Sequence, residues 1–377
     1  MKKLLNIVII LFCIGSSQLP AQVSIPFYKH FTGLLDTNMF IVLDLQSDGE
    51  SLSGQYNYRF SVEGSANEFY FGKTVPVEGE IEGESLTFRD YNSEDSEFSC
   101  TFSGSSVISG TWQGGKPVKE IPFTLLENYT DGSFPLKTLH LDRSHNLLEG
   151  DEFASISPQA HIKIFLLYPE SNANRQLKDT LDMVIAGFMR DTSEIIKSPE
   201  LFLENIVFDF FQSYVEITEG IEDFTNVASF NWNKEYKIEV LNNQFNILSL
   251  KFTKYAYTGG AHGISIIRHE VFDTKKNRRI NIKDFIKQEK IESLSVLLEK
   301  KLRKLNGILA DESLRDAGFL VDSIGVNDNF FINTYGVGFF YNTYEIAPYA
   351  SGTTALFIPF SEINDLLKPG HPFTWLK

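Results

Sequence analysis

Tyr257-Thr-Gly-Gly-Ala-His-Gly263 stands between two β-rich runs, Ile247 to Tyr257 and Ile264 to Phe272. Gly259 and Gly260 both tolerate positive φ, so the segment reads as a hairpin turn and its flanks as antiparallel neighbours. Glu235 to Leu241 is a further strand upstream, and His161 to Tyr168 another, stopped by Pro169. Between those two strands lie helices. Leu177, Leu181, Val184, Ile185 and Phe188 repeat at helical spacing. Ser198-Pro199 then supplies an N-cap and a first-turn proline for a second helix to about Thr218. Its Phe202, Ile206, Phe210 and Tyr214 form one stripe, read as core. Beyond the hairpin a helix is expected from about Asp284 to Leu305, with Leu294, Leu297, Leu298, Lys301 and Leu305 along it. Strands follow at Phe330 to Thr334, Val337 to Tyr344 and Thr354 to Ile358, and Ser361 caps a short closing helix. The class is α+β, with helices on a mainly antiparallel sheet.

Residues 22–128 read differently. Phe40–Leu45, Leu52–Tyr58, Thr74–Ile81, Ser85–Phe88, Phe98–Phe102, Val107–Trp112 and Ile121–Leu126 are short β-rich runs separated by Gly, Ser and Asp. That spacing indicates an all-β barrel or sandwich. Gly54, Gly79, Gly83, Gly104 and Gly110 suit bends and bulges at barrel corners, and Gly110-Thr-Trp112 is similar to a step in the up-and-down barrels of lipocalins and avidins. From Asn128 to Ser157 the pattern dissolves into a polar connection, taken as the domain boundary.

The N-terminus has Lys2-Lys3, an apolar run Leu4 to Ile14 of eleven residues, and small residues up to Ala21. This is the pattern of a cleaved signal peptide over residues 1–21, too short to span a bilayer. Phe12 and Ile14 flank Cys13 poorly for a lipobox, so a lipoprotein is not expected. The mature protein is expected to be secreted or periplasmic, with no transmembrane segment. Its single cysteine, Cys100, rules out an internal disulfide and shares a strand face with Phe98 and Phe102. The formal charge of −15 becomes −17 without the two signal lysines, and residues 22–128 hold 16 acids against 6 bases. Such a surface disfavours nucleic acid and suits cationic partners.

Chemical signatures are sparse. There is no Gly-x-Ser-x-Gly elbow and no phosphate loop ending in Gly-Lys-Ser/Thr. Gly336 and Gly338 lack the third glycine of a dinucleotide fingerprint, and His269-Glu270 lacks a zinc-protease partner. His262 and His269 are placed on opposite faces of one strand, and His140, His145 and His161 in or beside a loop. No metal, cofactor or catalytic residue is assigned. His262, at the hairpin exit, holds the turn by a hydrogen bond or faces a ligand. Glu345, read as a strand end, caps backbone amides or meets a cationic partner. Tyr257, Tyr344 and Tyr349 complete a candidate aromatic rim of the kind found at sugar and protein surfaces.

The Tyr257–Gly263 turn, together with Tyr344-Glu-Ile-Ala-Pro-Tyr-Ala-Ser-Gly352 and Leu356-Phe-Ile-Pro-Phe-Ser-Glu-Ile363, carries a resemblance. More loosely, so do Ile162 to Pro169 and the helix start at Asn174. These segments resemble the paired extracellular domains of lysozyme-sensing anti-sigma factors, which also precede the catalytic domain of certain peptidoglycan deacetylases. The resemblance covers about residues 129–368 and implies two α+β modules, 129–272 and 273–377. It also implies recognition of a lysozyme-like protein or a peptidoglycan-type envelope glycan. A membrane helix with a sigma-binding segment and a deacetylase domain are both expected to be lacking, and the β-region at 22–128 falls outside the resemblance. A non-catalytic binding protein is the first expectation. The alternatives are an envelope hydrolase or deacetylase-related enzyme working around His262 and Glu345, and a structural envelope subunit.

Overall fold

The computed structural model describes residues 26–36, 39–61, 69–91, 96–114, 118–130, 132–148, 157–170, 174–219 and 227–376. The expected signal segment, 1–21, lies outside them.

The N-terminal region is a closed antiparallel barrel of eight strands: β1 (Phe27–Leu34), β2 (Met39–Ser47), β3 (Leu52–Ser61), β5 (Val75–Glu82), β6 (Ser85–Asp90), β7 (Ser96–Phe102), β8 (Val107–Gly114) and β9 (Lys119–Glu127). The short β4 (Phe69–Phe71) hangs on β3, and pairing of β9 with β1 closes the ring. Closure removes the exposed edges that an open sheet would present. Alternation fills the interior: Ile41, Leu43 and Leu45 point inward beside Phe88, Phe98, Cys100 and Phe102. The Cys100 thiol is buried there, and burial pushes it up to about 12, so it stays a protonated apolar filler. Gly79 and Gly110 are needed for close approach. A Cβ on either would sit 2.0 Å from a neighbouring strand's carbonyl oxygen.

The second region is built on a six-stranded sheet in sequence order: β10 (Leu136–Asn146), β11 (Gln159–Pro169), β12 (Trp232–Gln244), β13 (Ile247–Tyr257), β14 (Ile264–Asp273) and β15 (Arg278–Arg279). All pairs are antiparallel except β11–β12, which are joined by a crossover through α1 (Arg175–Arg190) and α2 (Pro199–Thr218). Both helices lie on one sheet face and share its core through Leu181, Ile185, Phe210, Tyr214, Tyr236 and Phe252. Tyr168 anchors α1 to β11 by donating to the buried Asp182 carboxylate at 2.5 Å. The Asn174 side chain accepts from the Gln176 and Leu177 amides at 2.9 and 3.4 Å, which caps α1. Asn174→Ala should lower the free energy of unfolding by about 1 kcal/mol, read from the denaturation midpoint.

Several boundaries differ from the sequence expectation. Residues 136–146, expected to be connection, form the edge strand β10, paired with β11 along its whole length. Its outer half is exposed and polar, which hides the pattern. His140 and His145 therefore lie on β10 and not in a loop, while His161 lies on β11, the strand expected from His161 to Tyr168. The helix expected from Asp284 is broken into α3 (Ile282–Phe285) and α4 (Ile291–Asn306), because Ile286 turns extended and bridges to Leu367. The buried stripe of α4 is Leu294, Leu298 and Leu302, while Leu305 is exposed and Lys301 pairs with Glu362 at 2.7 Å. A small sheet of β16 (Phe330–Ile332), β17 (Gly336–Tyr341) and β18 (Thr354–Pro359) completes the second core. The expected closing helix is two successive 3-10 turns, Phe360–Glu362 and Asn364–Leu366, the first entered from Pro359, so Ser361 is inside it and is not its cap.

The barrel docks on the sheet through polar groups. Tyr28, His30, Asp44, Gln55 and Asn57 face outward from β1–β3 yet are buried. Asp44 accepts from Tyr28 at 2.7 Å and lies 2.7 Å from His30 Nδ1. Asn243 of β12 donates to Tyr28 Oη at 2.8 Å, and Asn57 accepts from Thr334 at 3.0 Å. Across the same junction Phe71 meets Phe245 edge to face, and Phe245 stacks on Trp375.

Candidate functional site

The two motif segments meet in space. The β13–β14 turn has φ of +92° at Gly259 and +99° at Gly260, as the glycine pair predicts. His262 lies in that turn, ahead of β14, so the expectation that it shares a strand with His269 is corrected. Its Nδ1 donates to the Gly263 carbonyl at 3.0 Å, and its ring stacks on Tyr349 with centroids 4.0 Å apart and planes at 21°. Tyr349 Oη donates to the same Gly263 carbonyl at 3.0 Å. A Cβ at Gly263 would lie 2.3 Å from Tyr255 Oη, so any side chain there would displace the Tyr255 ring. The stack continues to Tyr344, whose ring centroid is 5.9 Å from that of Tyr349.

Tyr344 and Glu345 sit in a turn beyond the end of β17, not on a strand as expected, because the strand stops at Tyr341. Tyr344 has a φ of +68°. A tyrosine in the left-handed region costs about 1 kcal/mol relative to its relaxed state. It is held there by its amide, which donates to Ala347 O at 3.0 Å, and its side chain is left 53% exposed. The strained residue thus presents about half of its surface to solvent. Tyr257 does not join the stack. Its hydroxyl donates to Gly260 O at 3.1 Å, so it fastens the turn.

Asn342 was not singled out from the sequence, yet it joins the two segments. Its amide oxygen accepts from Ile267 N at 2.7 Å and its nitrogen donates to Ile267 O at 3.0 Å, imitating a neighbouring strand on the edge of β14. The same nitrogen donates to Glu345 Oε1 at 3.1 Å, which orients the carboxylate. Asn329 does similar work one step along, accepting from His269 N at 2.8 Å. An asparagine between a strand and a Tyr-rich turn was the available signal, but the residue it serves is 75 positions away. Among the described residues no three His, Cys, Asp or Glu side chains are grouped to hold a metal.

This architecture, a helix-covered antiparallel sheet extended by a small second sheet, is shared with known proteins. Residues 283–361 match the family described as "Protein of unknown function (DUF3298)", and residues 157–265 match the one described as "Deacetylase PdaC". The two regions thus match the paired domains of unknown function found ahead of deacetylase domains, the family that the motif segments resemble.

Among individual proteins, the peptidoglycan-N-acetylmuramic acid deacetylase PdaC of Bacillus subtilis (strain 168) is 28% identical over 138 residues, 36% of this chain and 29% of the relative. The chain therefore spans under a third of the length of the curated relative it matches. A crystal structure of a DUF3298 family member from Bacteroides fragilis NCTC 9343 shares the fold, with a TM-score of 0.56, 23% identity, and coverage of 64% of this chain and 96% of that one. A DUF3298 family protein from Pseudomonas aeruginosa PAO1 has a TM-score of 0.43 and 16% identity, over 63% of this chain and 97% of its own.

Proposed function

We propose that the surface formed by His262, Tyr349, Tyr344 and Glu345 binds a peptidoglycan-type envelope glycan, and that the chain recognises this polymer without transforming it. The observation that carries the reading is the exposed aromatic stack, assembled from two distant segments and ending in a strained tyrosine. Aromatic faces pack against the C–H faces of sugars, and an oriented carboxylate accepts from their hydroxyls. The deacetylase relative is named for action on peptidoglycan, which supports the ligand class. Among the described residues His262 and Glu345 are held by Gly263 and Asn342 rather than by each other, which favours display over acid–base work. A secreted or periplasmic location goes with this reading. It is supported by the basic and then apolar N-terminus, and no helix among the described residues is long and apolar enough to cross a membrane.

Tyr344→Gly tests the reading cleanly. Glycine accepts the positive φ, so stability should stay within about 1 kcal/mol of the parent. Calorimetric titration with soluble peptidoglycan fragments should show binding by the parent chain and at least tenfold weaker binding by the variant. Equal affinity in the two would remove Tyr344 from the site.

A second reading, capture of a basic lysozyme-like protein, is favoured by the charge of −15 and its concentration in the barrel. Long-range attraction would assist such a complex and fade with salt. Titration with a basic lysozyme that stays saturable at physiological salt would favour this reading over the glycan.

A further inference from the structure

The opposite face of the same sheet holds a cleft of about 320 Å³ that the aromatic stack does not use. Met189 and Arg190 of α1, Asp209 and Phe210 of α2, Lys234 and Tyr236 of β12, and Thr258 of the hairpin turn are among its walls. Lys234 Nζ lies 5.5 Å from both the Phe210 and Tyr236 ring centroids. Lys254, outside the cleft walls, has its Nζ 5.8 Å from the Tyr236 ring centroid. These distances are the outer range of cation–π contact and leave the ammonium donors unspent. Among the described residues neither lysine has a hydrogen bond to protein or a carboxylate within 4.0 Å. Arg190 is paired, with Asp209 at 2.5 Å. Burial and then the neighbouring Lys254 both disfavour the charged form of Lys234, and Asp209 opposes them only in part. The chain has 15 more acids than bases by formal charge, yet the one carboxylate lining this cleft, Asp209, is engaged by Arg190, and among the described residues neither lysine has an ion pair of its own.

We propose that this cleft is a binding site for a small carboxylate with a compact apolar body, the carboxylate meeting Lys234, with Lys254 adding attraction from beside the cleft, and the body lying along Phe210 and Tyr236. An oxyanion there supplies the acceptor that the Lys234 ammonium lacks and offsets its repulsion from Lys254. The volume suits a molecule of small-ligand size. Thr258 lines the cleft while Gly263, five residues on, accepts Tyr349 on the other face, so one turn borders both sites. The proposal stands apart from the glycan reading and shares no side chain with it.

Two probe pairs test it on the full chain by calorimetry: phenyl β-glucuronide against phenyl β-glucoside, and acetyl-Ala-Ala against its C-terminal amide. Each pair differs in its carboxylate. The expected result is saturable binding of an acid at about millimolar affinity or tighter, with its neutral counterpart at least tenfold weaker. The pair that shows the preference tells whether the natural carboxylate belongs to a sugar or a peptide. Lys234→Met should abolish the preference, Lys254→Met should weaken it about threefold, and Tyr344→Gly should leave it intact. Absence of binding by both acids at about 10 mM, equal binding of acid and neutral probe, or a preference that survives Lys234→Met would each overturn the assignment. The comparison of acid with neutral probe needs no variant, so it stands even where Lys234→Met fails to fold.

Discussion

Asn243→Ala should cost about 3–5 kcal/mol of stability, the largest single loss expected outside the apolar cores. The Asn243 side chain is fully buried and makes three hydrogen bonds. It accepts from Phe134 N at 2.7 Å and donates to Phe134 O and to Tyr28 Oη, both at 2.8 Å. Alanine leaves a buried amide and a buried carbonyl without partners, each costing about 1–3 kcal/mol. It also frees Tyr28, which belongs to the barrel by sequence but packs in the core of the sheet region. Tyr28 in turn donates to Asp44, so the loss extends into the buried polar layer between barrel and sheet. Denaturant unfolding should show a lower midpoint and a transition that splits, as the barrel and the sheet region uncouple. A loss under about 1 kcal/mol with one unbroken transition would mean that the junction carries little of the coupling.

Acid should weaken the fold through His269. The ring is buried against Phe331 and Phe340, with Nδ1 donating to Asn329 Oδ1 at 2.9 Å. Burial is the main reason its pKa is lowered to about 4. In the unfolded chain the imidazole titrates near its ordinary value of about 6.5. Between those values the unfolded state binds more protons, so stability rises with pH. The contribution is complete above about 6.5, is lost as pH falls through about 4, and is constant below that. The gap corresponds to about 3 kcal/mol. Unfolding free energies measured from pH 7 down to pH 4 should fall more steeply in the parent than in His269→Gln. Parallel curves would show that His269 does not govern acid sensitivity.

The sequence was most readable where one face of an element is buried and the other is wet. Barrel strands such as β7, with Phe98, Cys100 and Phe102 inward, alternate cleanly and were found. β1 was missed because both its faces are covered: Phe27 and Phe31 fill the barrel, while Tyr28 and His30 meet the sheet. β10 was missed for the opposite reason, since much of it faces solvent. The break between α3 and α4 depends on Leu367, about 80 positions from Ile286, and no local pattern contains that information.

The candidate site divides along the same line. The glycine turn and the tyrosine-rich segment announce themselves through residue types with few other uses, and His262, Tyr344, Glu345 and Tyr349 come together as a surface. Tyr257 was grouped with them on type alone, and geometry assigns it to the turn. Asn342 escaped notice because a single asparagine has many roles and only the fold shows which one it fills. The carboxylate cleft was invisible for a further reason. Phe210 reads as a core residue from its helical spacing, and Lys234 as an ordinary strand lysine. Only the crossover connection brings them under Arg190 and beside Thr258.

The measurement that bears most directly on the central claim is co-sedimentation of the chain with purified, insoluble peptidoglycan, alongside Tyr344→Gly and Tyr349→Ala. Saturable association by the parent, reduced at least tenfold in both variants while their unfolding midpoints stay close to the parent's, is the predicted result. No association by the parent, or association that both variants retain in full, would contradict a recognition role for the stacked aromatic face.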